Sequence, residues 1–349
     1  MTENEYILSS LPKLKEVVEN CHKSIFWRNR IHIREICTIN DFRNIPIVNR
    51  SELANLYDHG FVEELLTQRP TDSFVKVSTG GKPFRSPLIS YLSPDEFLIM
   101  QKPISKLFRE LKLHEEKILI TFPGTDPYPY DFGIQIESEP ESGNYRSDHV
   151  SGKIFKSAAI QFGLTTYCTG LRFLAYKISD KEALLEKDRL FKALVITKPQ
   201  ILATSPNVLR EIFMPALEKG KELFSNYETN IVILGGAALT SKDRDRLAKL
   251  GNPWLVEWIE SGELGTIAYS TPYRASESPP EWLKTTWEEN FFELVDDSGV
   301  SIFLCEWGRI IATRLYTSVH PLIRYDIEDN GKFAFKGNEL LLYRQIIKR

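Results

Sequence analysis

The most constraining feature of the sequence is an alternation of helical and strand-like segments between residues 179 and 236. Residues 179–194, SDKEALLEKDRLFKAL, and residues 207–224, NVLREIFMPALEKGKELF, have helical periodicity. Each is followed by a short apolar run, 199–206 (PQILATSP) or 230–236 (NIVILGG), that is typical of a buried strand ending in a turn. This alternation predicts an α/β sheet whose ligands gather at the carboxyl ends of the strands.

Other segments indicate further parts of the chain. The first 70 residues are polar with helical patterns, and residues 116–124, EKILITFPG, are typical of a strand that ends in a Pro-Gly turn. Residues 125–151 are rich in Pro, Tyr, Gly and Ser, which indicates a long surface loop or a pocket wall. From about Trp282, aromatic and β-branched residues with short turns predict a separate β-rich subdomain.

The composition argues against several function classes. The 349-residue chain is long enough for two or more subdomains, and its net charge of −3 gives no overall field to attract nucleic acid or an anionic membrane. No apolar run approaches the roughly 18 residues of a membrane span, and the N-terminus lacks a secretory pattern. Because Cys21, Cys37, Cys168 and Cys305 lack metal-ligand spacing, we expect inert thiols in a reducing cytoplasm.

One short loop suggests where an anion could bind. In residues 75–87, VKVSTGGKPFRSP, two small hydroxyl residues and two glycines precede Lys82. Backbone N–H groups of such a loop can close around an oxyanion, and the lysine supplies positive charge. Phosphate is the expected anion, although Gly-Gly-Lys-Pro is also the composition of an ordinary exposed turn.

Several segments follow one another in the order found in a known family. Residues 77–83, VSTGGKP, stand where that family has a Ser-Gly-Thr-Thr-Gly-Lys-Pro phosphate loop, and residues 256–269 stand where it has Tyr-Gly-x-Ser/Thr-Glu. Residues 320–329, HPLIRYDIED, match Pro-Leu-Ile-Arg-Tyr-Arg-Thr-Gly-Asp most specifically. The chain thus resembles the adenylate-forming superfamily of acyl-CoA synthetases and ligases, most closely its phenylacetate-CoA ligase-like branch. The other matching segments are residues 24–31, 36–53, 198–209, 230–247 and 287–299.

The resemblance implies an α/β fold, the N-terminal AMP-binding domain of an adenylate-forming enzyme, with stacked α/β subdomains and a smaller β-rich subdomain. We assign this domain to residues 1–330, with the β-rich part at about 282–330. Residues 331–349 are expected to be a hinge-like stub, with the family's mobile C-terminal domain absent. In the family that domain carries the lysine used in adenylation, a role that Lys348 is not assumed to take.

The resemblance also implies roles for individual residues. Lys82, Glu263 and Arg324 would be catalytic, with Glu263 holding Mg²⁺, while Asp329 would accept hydrogen bonds from the ribose hydroxyls. Arg344 has the spacing of the family's hinge-proximal arginine. The expected ATP-binding residues are Ser78, Thr79, Gly80, Gly81, Lys82, Gly235, Gly236, Ala237, Asp329 and Arg344. The expected substrate pocket contains Tyr128, Tyr130, His149, Ser261 and Gly262.

Each assignment has a structural alternative. Glu263 could be a solvated turn acid, because Glu260 lies in the same segment and the register is uncertain by one residue. Asp329 could cap the turn that begins at Asn330, and Arg324 could be a surface charge. The two pocket tyrosines could pack within their own loop, and the pocket histidine could be a hydrogen-bonded structural residue.

The sequence departs from the family pattern at two motifs. In the phosphate loop, Val77 and Ser78 replace Ser and Gly, and Gly80 replaces Thr. The segment that should read Tyr-Gly-x-Thr-Glu lacks both the Tyr and the Gly, and Gly262 stands where the hydroxyl residue should be. These changes predict weaker or differently arranged ATP binding.

The function expected from the resemblance is Mg-ATP-dependent activation of a carboxylic acid, aromatic by analogy, to an acyl-adenylate in a specialised pathway. The acyl group would pass to CoA, to a carrier or to a partner protein, and a homodimer is expected by analogy. Three alternatives stay open: a non-catalytic nucleotide- or acyl-binding protein, a half-enzyme that needs a separate C-terminal domain, and ATP activation of a different oxyanion.

Overall fold

One large sheet organises the structure, a computed structural model that describes residues 1–33, 35–69, 75–78, 89–122, 150–168, 180–223, 230–236 and 239–344. Within these residues thirteen strands form the large sheet and two form a separate antiparallel hairpin. The strands are β1 Val75–Ser78, β2 Ile89–Leu92, β3 Lys117–Ile120, β4 Thr165–Cys168, β5 Ile201–Thr204, β6 Ile231–Gly235, β7 Trp254–Ser261, β8 Gly265–Ser270, β9 Tyr273–Arg274, β10 Trp282–Thr285, β11 Asn290–Val295, β12 Ser301–Ile302, β13 Gly308–Arg314, β14 Tyr325–Lys336 and β15 Glu339–Arg344.

Helices cover the sheet, and the four helices within residues 3–58 form what we call the N-terminal layer. Their boundaries follow capping signals: Thr38 accepts a hydrogen bond from the backbone N–H of Asp41, and Ser93 caps Glu96 in the same way. The helices are α1 Glu3–Cys21, α2 Ile25–Arg30, α3 Ile39–Arg43, α4 Arg50–Asp58, α5 Pro94–Glu110, α6 Val150–Gln161, α7 Asp180–Thr197, α8 Pro206–Val208, α9 Met214–Leu223 and α10 Ser241–Lys249, with a 3₁₀ turn at Val62–Leu65 and a π-helical turn at Leu209–Phe213.

The sheet changes character at β7. The strand order is β12-β11-β13-β14-β15-β10-β8-β7-β6-β5-β3-β4, and β9 pairs with β7 outside this order. From β4 to β7 all neighbours are parallel, whereas from β7 to β12 all are antiparallel. The α/β fold predicted from the alternation of segments is confirmed, including the strands predicted at 199–206 and 230–236.

The parallel half is buried on both faces. In β5, Ile201 and Ala203 belong to the core under α5 and α6, while Leu202, between them, belongs to the core under α7, α9 and α10. β6 alternates in the same way, with Ile233 on one side and Leu234 on the other. Continuous apolar runs are what strands covered on both faces require, because successive side chains point to opposite faces.

The antiparallel half packs against the N-terminal helices. A third core joins Tyr6, Trp27 and Phe42 from the N-terminal layer to Phe291 and Phe333 of the sheet. The indole N–H of Trp27 donates to the carbonyl of Pro321 at 3.0 Å. The β-rich region expected from residue 282 is therefore present, but it continues the same sheet as the parallel strands, with β10 hydrogen-bonded to β8.

The hinge-like stub expected at residues 331–349 takes a different form. Residues 331–336 complete β14, and β15 pairs along its length with both β14 and β10. The apolar run Leu340–Leu342 explains this, because Leu340 and Leu342 are buried in the core under the N-terminal layer. Among the described residues, no helix is long and apolar enough to cross a membrane.

Candidate functional site

The carboxyl ends of the parallel strands meet at one edge, as the alternation predicted. The hydroxyl of Thr121, directly after β3, donates to the hydroxyl of Thr204 at the end of β5 at 2.7 Å. Ser205 caps the following helical segment, and Gly235 ends β6 beside Trp258 of β7. Parallel strands place these ends together, which is the usual ligand edge of an α/β sheet.

An aromatic wall lies against this edge. The rings of Phe122, Phe155 and Trp258 contact one another, with centroid separations of 5.1 to 5.2 Å. A Cβ atom at Gly235 would lie 2.8 Å from the Phe122 ring, so this position requires glycine for the rings to pack as they do. Gly236 has a φ of 92°, and among the described residues no atom beyond its chain neighbours lies within 4 Å of where a Cβ would stand.

The structure describes two of the three expected ATP-binding residues at Gly235–Ala237. At Gly235 the ring of Phe122 fills the space where a side chain would stand. Gly236 has a left-handed backbone, with a φ of 92°. Ala237 lies outside the described residues.

A polar pair continues the aromatic wall. Helix α6 presents Phe155 to Trp258 and, one turn earlier, the hydroxyl of Ser151 donates to the carboxylate of Glu260. Burial raises the pKa of Glu260 to about 7; the Ser151 hydrogen bond opposes this rise and the nearby charge of Glu263 adds to it. Glu260 therefore changes charge near neutral pH, at the end of β7.

Glu263 lies in the turn between β7 and β8 and has a different environment. Its Oε1 atom pairs with the guanidinium of Arg50, the first residue of α4, and its Oε2 accepts from the hydroxyl of Ser261 at 2.7 Å. The backbone N–H of Glu263 donates back to the Ser261 hydroxyl at 3.2 Å. The carboxylate is buried, with 7% of the side chain exposed.

The buried side chain of Arg314 holds this turn in place. The Arg314 guanidinium donates to the carbonyl of Glu263, to the carbonyl of His320 at 3.1 Å and to the hydroxyl of Ser318 at 3.1 Å. Burial and the charge of Arg314 lower the pKa of His320 to about 3, so this imidazole is neutral at physiological pH. Through Arg314, strand β13 thereby fixes the position of the turn that contains Glu263.

The residues around Glu263 do not fit the Mg²⁺ ion that was assigned to it. Mg²⁺ requires oxygen ligands in octahedral geometry at about 2.0 to 2.1 Å and keeps several waters. Both oxygens of Glu263 are instead in contact with Arg50 and Ser261. Within the described part of the chain, no group of three or more His, Cys, Asp or Glu residues could hold a metal ion. The solvated turn acid proposed as the alternative is wrong, because Glu263 is buried.

The motif at residues 320–329 contains a bulge that displays Asp329. Arg309 pairs with Asn330 and Ile311 with Asp326, so one residue of β13 faces three of β14. Glu328, within the bulge, has a φ of 61°, and its N–H donates to the carboxylate of Asp326 at 2.8 Å. The family motif has Gly at this position, the residue that best tolerates a left-handed backbone. The bulge leaves Asp329 partly exposed.

Arg324 does not have the catalytic environment expected for it. Its guanidinium donates to Glu293 at 3.2 Å and to the carbonyls of Arg43 and Ile45, the latter at 2.7 Å. The side chain is 4% exposed, which also excludes a surface charge. The residue joins the N-terminal layer to the sheet, because each of these acceptors lies in one or the other.

The remaining expected site residues are described in full, described only by their backbone, or lie outside the described residues. Ser78 ends β1 and Arg344 ends β15, and only the backbone of each is described. Ser261 ends β7, and Gly262 lies beside Glu263 in the β7–β8 turn. Outside the described residues are Thr79, Gly80, Gly81, Lys82, Tyr128, Tyr130 and His149.

Sequence reasoning missed Arg50, Ser151 and Arg314 as members of this edge. Arg50 had a signal, because it is the basic residue after Pro46 in the entry segment 36–53, where the family has Lys or Arg. Ser151 and Arg314 had none, since each reaches the site from an element remote in sequence.

Comparisons with solved structures identify the fold. Crystal structures of a 2-hydroxyisobutyryl-CoA ligase in complex with 2-HIB-AMP and CoA align with a TM-score of 0.73, at 12% identity over 98% of this chain and 74% of the ligase. VinN aligns with a TM-score of 0.51, at 15% identity over 96% of this chain and 76% of VinN. McyG A-PCP, complexed with phenylalanyl-adenylate, aligns with a TM-score of 0.50, at 13% identity over 80% of this chain and 42% of McyG A-PCP.

Sequence comparisons give no match: no family model matches the chain, and no curated protein does. The assignment therefore depends on structure, where the agreement extends over nearly the whole chain. The chain has the fold of the N-terminal part of adenylate-forming enzymes.

Proposed function

We propose that the chain activates a carboxylic acid as an acyl-adenylate. One oxygen of the substrate carboxylate would attack the α-phosphorus of ATP, forming a new P–O bond, while the bond from that phosphorus to the bridging oxygen breaks and pyrophosphate leaves. Such a reaction needs alignment and charge neutralisation more than covalent chemistry by the protein. The adenylate-forming fold and the ligase solved with 2-HIB-AMP and CoA support this reaction class.

The observation that carries the proposal is the bulge of β14 at the motif that the sequence matched best. Glu328 adopts the left-handed backbone at the motif's Gly position, and Asp329 follows it with partial exposure. A carboxylate here can accept hydrogen bonds from two ribose hydroxyls. We assign Asp329 to the ribose and residues 78–82 to the phosphates.

We propose an aromatic acid as substrate, on the resemblance to the phenylacetate-CoA ligase-like branch. The rings of Phe122 and Trp258 are 3% exposed, so they shape the edge from within the core and are not assigned as a surface for the substrate. We propose that CoA, a carrier or a partner protein in the cytoplasm accepts the acyl group.

ATP–pyrophosphate exchange with a panel of aryl and small aliphatic acids tests this function. We expect exchange with an aryl acid, and we expect Lys82→Ala and Asp329→Ala each to lower the exchange rate by at least about tenfold. Asn338→Ala, in the β14–β15 turn, is a control that should exchange at the rate of the unmodified chain.

Two outcomes would contradict adenylation in different ways. Exchange that persists unchanged in both variants would reject the assigned roles. Thermal stabilisation by ATP without exchange for any acid would favour a non-catalytic nucleotide-binding protein, or a half-enzyme that requires a separate domain.

A further inference from the structure

We propose that the guanidinium of Arg50 takes the place of a divalent cation at Glu263, so that this carboxylate anchors an arginine and is not a metal ligand. The contacts of the described residues carry this inference. It rests on the proposed function only in its consequence for nucleotide binding.

Both carboxylate oxygens of Glu263 already have partners in the structure. One carboxylate oxygen of Glu263 contacts the Arg50 guanidinium, and the other accepts from Ser261 at 2.7 Å. The carbonyl of the same residue accepts from Arg314, and its N–H donates to Ser261. Backbone and side chain are thus held together, so the carboxylate cannot turn towards a metal without losing these bonds.

The backbone next to Arg50 is held firmly in place. Val48, two residues earlier, donates to the carbonyl of Arg324 at 3.0 Å and accepts from the N–H of Asp326 at 2.8 Å. These bonds attach the chain before α4 to the start of β14. Tertiary structure therefore delivers Arg50 to the turn that contains Glu263.

The first turn of α4 is fixed as well. The backbone N–H of Asn49 donates to the carboxylate of Glu52, and the N–H of Glu52 donates to the side-chain oxygen of Asn49, both at 3.0 Å. This reciprocal pair is the arrangement of a capping box. A helix start fixed on both sides presents the Arg50 side chain with little backbone freedom.

The side chains of Arg50 and Glu263 are largely buried, and this disfavours a metal ion at Glu263. The side chains of Arg50 and Glu263 are 13% and 7% exposed, and the phenol of Tyr325, which is 2% exposed, lies beside them. Burial and the charge of Glu263 raise the pKa of Tyr325, and Arg50 opposes that rise. A metal bound to Glu263 would leave the Arg50 charge buried without its partner, a strongly unfavourable state.

A guanidinium suits the proposed chemistry at this position. It stays charged throughout the physiological range, and its planar donors match phosphate and carboxylate oxygens. The Arg50–Glu263 pair is therefore in place before any nucleotide arrives, and its two charges offset each other. The metal dependence of nucleotide binding should then come from the nucleotide's own phosphates and be independent of Glu263.

Equilibrium dialysis against Mn²⁺, with bound metal counted by electron paramagnetic resonance, tests the proposal on the full chain. The proteins are the unmodified chain, E263Q, R50M, R50K and R50M/E263Q. R30M is the matched control, because Arg30 also pairs with a glutamate of α4, Glu52, at 3.2 Å but away from the β7–β8 turn. Circular dichroism first establishes which variants fold.

We expect the unmodified chain, E263Q, R50K and R30M to bind equal amounts of Mn²⁺. R50M and R50M/E263Q should also bind equal amounts, because one carboxylate does not complete a metal site. An unmodified chain that binds an ion which E263Q loses would overturn the proposal, and this comparison stands even where R50M does not fold. Dialysis needs no turnover, so a failure of acyl-adenylate formation with every acid leaves this result unaffected.

Discussion

At the scale of single residues, two glutamates three positions apart have opposite surroundings. Glu263 has a buried guanidinium against it, whereas the carboxylate of Glu260 has, among the described residues, only the Ser151 hydroxyl as a hydrogen-bond donor. Burial consequently raises the pKa of Glu260 to about 7. The two side chains that the sequence offered as interchangeable candidates for one metal therefore have different chemistry.

The raised pKa of Glu260 predicts a pH dependence of stability. In the unfolded chain its pKa returns towards 4.5, so between about pH 4.5 and 7 the folded state binds more protons than the unfolded state. The free energy of unfolding should then fall as pH rises through this window. Glu260→Gln removes this titration. The free energy of unfolding of the variant, relative to that of the unmodified chain, should therefore rise by on the order of 2 kcal/mol from pH 5 to pH 8.

Urea unfolding of both proteins at pH 5 and pH 8 measures this difference. His320, whose lowered pKa of about 3 gives the opposite slope below pH 6.5, is common to both proteins and cancels in the comparison. Glu281→Gln, at an exposed position before β10, is the control. A stability difference between Glu260→Gln and the unmodified chain that stays constant with pH would contradict the assigned environment.

At the scale of elements, local signals predicted most of the parts. The helical patterns in the first 70 residues and the apolar runs of β5 and β6 were read correctly, because each signal lies within a few residues of its effect. The hairpin of β14 and β15 was missed. Its strands are stabilised by pairing with β10 and β13, which no local pattern encodes.

The candidate site was predicted in part for the same reason. Ser261, Gly262 and Glu263 are adjacent in the sequence and lie together where β7 ends and its turn to β8 begins. The partners that decide their chemistry are distant: Arg50 is 213 residues from Glu263, and Ser151 is 109 residues from Glu260. Pairings at such separations are set by the packing of the N-terminal layer and α6 on the sheet, so residue patterns alone do not reveal them.

Arg324 provides a prediction at this scale, because it joins the N-terminal layer to the sheet. Removing Arg324 leaves the buried carboxylate of Glu293 with Arg43, at 3.6 Å, as its remaining ion-pair partner, and it removes the Arg324 donor from two carbonyls. Arg324→Met should therefore lower the free energy of unfolding by about 3 kcal/mol, the lower end of the range for breaking a buried ion pair. Arg28→Met, at an exposed position of α2, should change it by less than about 0.5 kcal/mol.

Urea midpoints of the two variants decide between this role and catalysis. A catalytic Arg324 would leave the Arg324→Met midpoint unchanged while activity is lost. Glu293→Gln combined with Arg324→Met should cost less than the sum of the two single changes, because the two side chains share one ion pair. Equal midpoints in all three variants would reject the structural role.

At the scale of the whole molecule, the candidate site lies where the sheet changes from parallel to antiparallel pairing. β7 is parallel to β6 and antiparallel to β8, and the turn between β7 and β8 carries Glu263. The parallel half contributes the aromatic wall, the antiparallel half contributes Arg314 and the N-terminal layer contributes Arg50. The site therefore requires all three parts, and their cores share one continuous sheet.

Because the sheet is continuous, truncations after different residues should differ in their effect on stability. Truncation after residue 330 cuts β14 and removes β15, which is the only connection between β10 and β14 in the described sheet. The core would lose the buried side chains of Phe333, Leu340 and Leu342, each worth about 2 kcal/mol or more. Truncation after residue 344 keeps every described strand and is the matched control. We expect the longer product to unfold cooperatively in urea like the full chain, and the shorter one to be digested rapidly by protease at 25 °C; a resistant 1–330 fragment would show that residues 331–344 form a separable stub.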